Sequence, residues 1–124
     1  MLFAVSPKTD HFETLEFFVP ENDDITINCS ATGYPPPSLQ WTRNGMELSD
    51  ERFTSTNYIQ CSSDCLVDAR VTSSLMITNA SRSDIDMYTC TAMNILGKVN
   101  ASLQLTVQCK FPFTQYLIYS LNYM

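Results

Sequence analysis

Cys29, Trp41 and Cys90 each stand inside a segment where apolar and polar residues alternate, and Tyr88 lies two positions before the second cysteine. Alternation with period two is the signature of a β-strand, whose successive side chains point to opposite faces. In residues 25–29 it sends Ile25, Ile27 and Cys29 to one face and Thr26 and Asn28 to the other. The same reading turns Leu39 and Trp41 inward from residues 38–43, Val71, Leu75 and Ile77 from 70–77, and Tyr88, Cys90 and Ala92 from 87–93. From residues 98–107 it turns Leu103, Leu105 and Val107 inward. Strands with one apolar face are stable only when that face is buried against another layer, so an all-β fold of facing layers is expected.

The residues between these segments mark where strands stop. Pro20-Glu21-Asn22-Asp23-Asp24 closes a short apolar run over 15–19 that reads as a first strand. Thr32-Gly33-Tyr34-Pro35-Pro36-Pro37 is expected to be a loop, because consecutive prolines supply no ladder donors. Asn44-Gly45 is a strong hairpin signal, leading into a short strand over 46–48. A further strand is expected over 52–59, and Asn94-Ile95-Leu96-Gly97 supplies the last turn.

At 124 residues the chain can hold one domain with a substantial core. Five cysteines without a metal-type CxxC pair suit an oxidising compartment. Sequons at Asn28, Asn79 and Asn100, each followed two residues later by serine, agree with an extracellular or cell-surface location. A net charge of −6 with scattered Lys and Arg disfavours nucleic acid and anionic membrane surfaces, which require a basic stripe. Met1 to Val5 is too short for the apolar core of a secretory signal. No run reaches the roughly 20 apolar residues that span a bilayer. The expectation is therefore one module of a longer secreted or membrane-anchored protein.

Cys29, Gly33 with the prolines before Trp41, Asn44-Gly45, Leu75-x-Ile77, Asp84, Tyr88-x-Cys90 and Asn94 through Gly97 together resemble the I-set immunoglobulin family, over about residues 12–108. The resemblance implies an all-β, two-sheet antiparallel immunoglobulin sandwich, a disulfide from Cys29 to Cys90 across it, Trp41 packed on that bridge, and a tyrosine corner at Tyr88. A bridge closing a loop of roughly 60 residues is worth about 4 kcal/mol in the chain-entropy account. The resemblance also implies a salt bridge between Arg52 and Asp84. Asp86 departs from the family pattern, which has Gly or Ala at that position. Residues 1–11 are expected to form a disordered N-terminal extension, and 109–124 an apolar tail outside the domain.

Cys61-Ser-Ser-Asp-Cys65 is expected to close a small local disulfide, with a bond from Cys65 to Cys109 as the competing arrangement. A metal site would need two further ligands, and His11 is the only histidine. Cys109 is left over, and an intermolecular bond or a partner elsewhere in a longer chain is expected. Asp23, Asp24, Asp50, Glu51 and Asp64 lack the ligand spacing of a calcium loop and read as solvated turn acids. No Ser-His-acid set can be assembled around His11, so no catalytic residue, cofactor or small-molecule substrate is expected.

The outward positions of three neighbouring strands are Gln40 and Thr42, Thr89, Thr91 and Met93, and Ser102 and Gln104. This uncharged set desolvates at low cost and is the candidate face for a protein partner, homophilic or heterophilic, with the Asn44-Gly45 and Ile95-Leu96-Gly97 turns nearby. A glycan on Asn100 would cover its upper end. What the resemblance implies in function is non-catalytic extracellular recognition, in cell adhesion or as part of a receptor ectodomain. The alternatives are a structural spacer in a multi-domain matrix protein and the ligand-binding domain of a receptor kinase.

Overall fold

A computed structural model of the chain describes residues 5–9, 16–61 and 69–109. Its strands are β1 (Val5–Thr9), β2 (Glu16–Pro20), β3 (Ile25–Tyr34), β4 (Ser38–Arg43), β5 (Met46–Glu47), β6 (Phe53–Gln60), β7 (Arg70–Ile77), β8 (Asp86–Asn94) and β9 (Gly97–Gln108), with a 3-10 turn at Arg82–Asp84. They form two sheets, β1-β3-β7-β6 and β2-β9-β8-β4-β5. These pairings are antiparallel except β2 with β9, which run parallel.

The inward positions of both sheets meet in one core. Ile27, Cys29, Ala31, Val71, Leu75 and Ile77 enter it from the first sheet. Val19, Leu39, Trp41, Tyr88, Cys90, Ala92, Leu103, Leu105 and Val107 enter it from the second. Asn44 and Gly45 both have positive φ, at 50° and 83°, as the two central residues of the β4–β5 hairpin require.

Two segments differ from the sequence-based expectation. Val5–Thr9, expected within a disordered extension, forms β1 and pairs with β3. Proline is tolerated there because β1 is an edge strand, and the register shifts between Val5 and Lys8. Thr32, Gly33 and Tyr34, expected in the loop, continue β3 because Thr32 and Tyr34 pair with β1. The strand stops at Pro35, which follows a cis Tyr34–Pro35 bond.

Candidate functional site

The frame of the site is the core beneath it. Cys29 and Cys90 are joined by a disulfide between β3 and β8, one in each sheet. Trp41 stands opposite Cys90 in the β4–β8 pair. Its indole Nε1–H crosses the sandwich to donate to Ser73 Oγ at 2.9 Å. Ser73 is fully buried and faces inward from β7. A buried indole needs such a partner, and so does a buried hydroxyl; each satisfies the other.

At the lower end of the sandwich, Tyr88 Oη donates to the Asp84 carbonyl at 2.7 Å, closing a turn back across four residues. Burial pushes the Tyr88 hydroxyl up to about 12. The Asp84 side chain is 1% exposed and takes both arms of the Arg52 guanidinium, at 2.8 and 2.9 Å, together with the Ser81 N–H at 2.8 Å. Burial raises the Asp84 carboxyl, but the Arg52 hydrogen bonds and the Ser81 N–H outweigh it and hold the group below the usual carboxylate range. The Asp84 hydrogen bond is also the main cause that raises the Arg52 guanidinium.

Removing one partner of such a pair strands the other. Arg52→Ala is expected to cost about 3 kcal/mol, the low end for a buried pair, because Arg52 is itself 29% exposed. Urea unfolding would measure it. Asp84 has a folded value below its unfolded one, so its contribution is complete above about pH 4 and is lost as pH falls through the lower folded value. Stability of the native sequence should therefore drop below about pH 4, and Asp84→Asn should flatten that part of the profile.

Asp86, the departure from the family pattern, has a partner of its own. Its Oδ1 accepts from the Met87 N–H at 2.8 Å and its Oδ2 from Arg43 Nε at 3.1 Å. These two donors, the Met87 N–H first, lower its carboxyl. Arg43 also donates to the Ser83 carbonyl and lies over the Tyr88 ring. The pair forms because β4 and β8 run side by side in a register that sets Arg43 opposite Tyr88, within diagonal reach of Asp86.

The outer face of the five-stranded sheet carries the candidate recognition residues. Register places Gln40, Thr91 and Asn100 in one row and Thr42, Thr89 and Ser102 in the next. Met93 lies beside Lys98 above them, and Gln104 beside Met87 below. Thr89 and Ser102 share a hydrogen bond of 2.7 Å, and Gln40 donates to Glu47 at 3.0 Å. Charge is confined to the rim, at Glu16, Glu47 and Lys98, while exposed apolar side chains punctuate the face at Met93 (52%), Met87 (48%) and Phe18 (55%).

Phe18 and Met87 extend this face beyond the residues picked from the sequence. Alternation from the inward Val19 and Tyr88 already turns both outward, but only the pairing of β2 with β9 adds Phe18 to this sheet. The two turns expected beside the face lie at its opposite ends. The Asn44 N–H donates to the Met87 carbonyl at the lower end, and the Ile95-Leu96 turn follows Asn94 at the upper.

Of the three sequons, Asn28 is exposed on the outer face of the first sheet, where its Oδ1 accepts from Ser74 Oγ at 2.6 Å. Asn79 is exposed in the turn after β7. Asn100 is exposed in the row of Thr91, nearer the middle of the candidate face than its end. Asp24 and Asp50 serve local structure, accepting from the Asn79 and Arg52 N–H groups at 2.8 and 3.0 Å. Cys61 is disulfide-bonded; Cys65, its expected partner, and Asp64 lie outside the described residues. Cys109 is a free, exposed thiol. Among the described residues no helix is long and apolar enough to cross a membrane.

Residues 14–107 match the immunoglobulin I-set domain family. The chain belongs to that family. The chain is 30% identical over 112 residues to hemicentin-1 of Homo sapiens, covering 90% of this chain and 2% of that protein. It is 35% identical over 92 residues to contactin of Drosophila melanogaster, covering 74% and 6%. With neural cell adhesion molecule 1 of Rattus norvegicus the identity is 33% over 90 residues, covering 73% and 10%. The chain thus spans a tenth or less of the length of these relatives. As a fold, the I-set domain superposes on titin domain M7 with a TM-score of 0.67 at 24% identity, covering 86% of this chain and 97% of that one. On a chain of the complex between Dpr2 Ig1-Ig2 and DIP-Theta Ig1-Ig3 the TM-score is 0.71 at 21% identity, covering 85% and 33%.

Proposed function

We propose that this I-set domain is a non-catalytic, extracellular protein-recognition module, acting in cell adhesion or within a receptor ectodomain, and that it binds through the outer face of β4, β8 and β9. The observation that carries the reading is the charge-free centre of that face, Gln40, Thr42, Thr89, Thr91 and Ser102, with exposed Met93 above it and Met87 below. A face of this kind loses little solvation energy when covered, and its rim charges Glu16, Glu47 and Lys98 can orient a partner. The likeness to contactin and to neural cell adhesion molecule 1 supports the adhesion class, and a solved Ig–Ig complex among the similar structures supports another immunoglobulin domain as the kind of partner.

The test is binding of the folded domain to a displayed panel of extracellular domains, repeated with Thr91→Glu combined with Met93→Glu. Two carboxylates at the centre of the face should weaken capture by more than about tenfold while leaving thermal unfolding nearly unchanged, since Met93 is exposed and Thr91 lies on the outer surface. Equal capture by both proteins would remove this face from consideration. Capture of nothing by the native domain would instead favour a spacer role.

A further inference from the structure

Among the described residues each sheet of the sandwich ends in two edge strands, and three of the four are protected. β1 carries Pro7, Lys8 and a register shift, β2 carries Glu16 and Pro20, and β5 is two residues long and includes Glu47. Prolines, charges, irregular register and shortness are the devices that stop edges from pairing with other chains. β6 has none of them. It runs eight residues, Phe53-Thr-Ser-Thr-Asn-Tyr-Ile-Gln, without charge or proline and in unbroken register with β7. Among the described residues no strand pairs with its outer side.

We infer that β6 is a self-association edge, on which a second copy of this chain pairs its own β6 antiparallel, joining the two four-stranded sheets into one. Thr78 N–H donates to the Arg52 carbonyl at 3.0 Å, so ladder alternation directs the backbone groups of Thr54, Thr56 and Tyr58 to β7. Those of Ser55, Asn57 and Ile59 point to the open side. A two-fold axis at Asn57 sets Ser55 of each copy opposite Ile59 of the other.

That register also suits the side chains. Ser55 lines a groove with Trp41, Leu48 and Phe53, bounded by the polar side chains of Gln40 and Glu47, in the gap between β6 and the β4–β5 edge. Ile59 is 55% exposed and shares the Ser55 side of the strand, so in the dimer it lies along the partner's groove. Electrostatics favours the same edge: two copies each carrying −6 repel, and none of the eight residues of β6 is charged. None of the three sequons lies on it.

Sedimentation velocity of the intact chain over a concentration series, with hydrogen exchange at each concentration, tests the inference. The expected result is a reversible dimer in which the amides of Ser55, Asn57 and Ile59 become protected as it forms, while those of Thr54, Thr56 and Tyr58 are protected throughout. Ile59→Lys, at an exposed position, should weaken the dimer by roughly a hundredfold, since it replaces the apolar contact of Ile59 along the partner's groove with a charge that must be desolvated. Thr91→Glu with Met93→Glu should leave it unchanged, which separates this edge from the proposed recognition face. A chain that stays monomeric throughout would overturn the inference, as would a dimer that leaves those three amides unprotected or survives Ile59→Lys.

Discussion

Trp41→Ala should lower the unfolding free energy by about 5 kcal/mol, measured by urea denaturation with the midpoint and slope fitted separately. Loss of a buried aromatic ring costs about 3 to 5 kcal/mol through lost transfer energy and the cavity left behind. A further cost follows because Ser73 Oγ, fully buried, loses the indole N–H it accepts from. Trp41→Phe separates the two contributions. It keeps most of the apolar ring but still leaves Ser73 without the indole, so it should cost about 1 to 3 kcal/mol, and adding Ser73→Ala should recover part of that. If Trp41→Phe proves neutral, the Trp41–Ser73 bond contributes nothing to stability. Against a typical domain stability of about 5 to 15 kcal/mol, the alanine variant loses at least about a third of it.

Replacing Cys29 and Cys90 together by alanine should cost about 4 kcal/mol. The bridge spans 61 residues of sequence, so without it the unfolded chain regains the freedom of a long loop. Substitution is a cleaner test than a reductant, which would also open the disulfide at Cys61. Because Trp41 stands opposite Cys90 across the β4–β8 pair, this loss and that of Trp41→Ala should not add. Calorimetry of the triple variant against the two separate ones measures the coupling. An additive result would mean that ring and bridge stabilise the sandwich independently.

The same contrast between local pattern and long-range contact separates what was legible in the sequence from what was not. Alternation around Cys29, Trp41 and Cys90 predicts which side chains are buried, and Leu39, Val71, Leu75, Ile77, Leu103 and Leu105 are all in the core. Ser73 has the same inward parity and is just as buried, yet its reason for being polar lies 32 residues away in Trp41. Arg43 and Asp86 are 43 positions apart, and nothing local to either announces the other. Among the edge strands, β1 was the one that local pattern missed. β1 looks like a loop because edge pairing tolerates a proline that a central strand would exclude.

By itself the sequence determined the sandwich, most of its strands and most of its core, because burial of one strand face imposes a period that each short segment records independently. It also determined the charge-free character of Gln40, Thr42, Thr89, Thr91, Ser102 and Gln104. Only the tertiary structure decided that β2 joins β9 and brings Phe18 to that face, that Asn100 stands in the row of Thr91, and that β6 is, among the described residues, the one long edge without protection. These are matters of which strand lies beside which. Strand order is fixed by contacts between segments far apart in the chain, and no single segment carries a record of its neighbours.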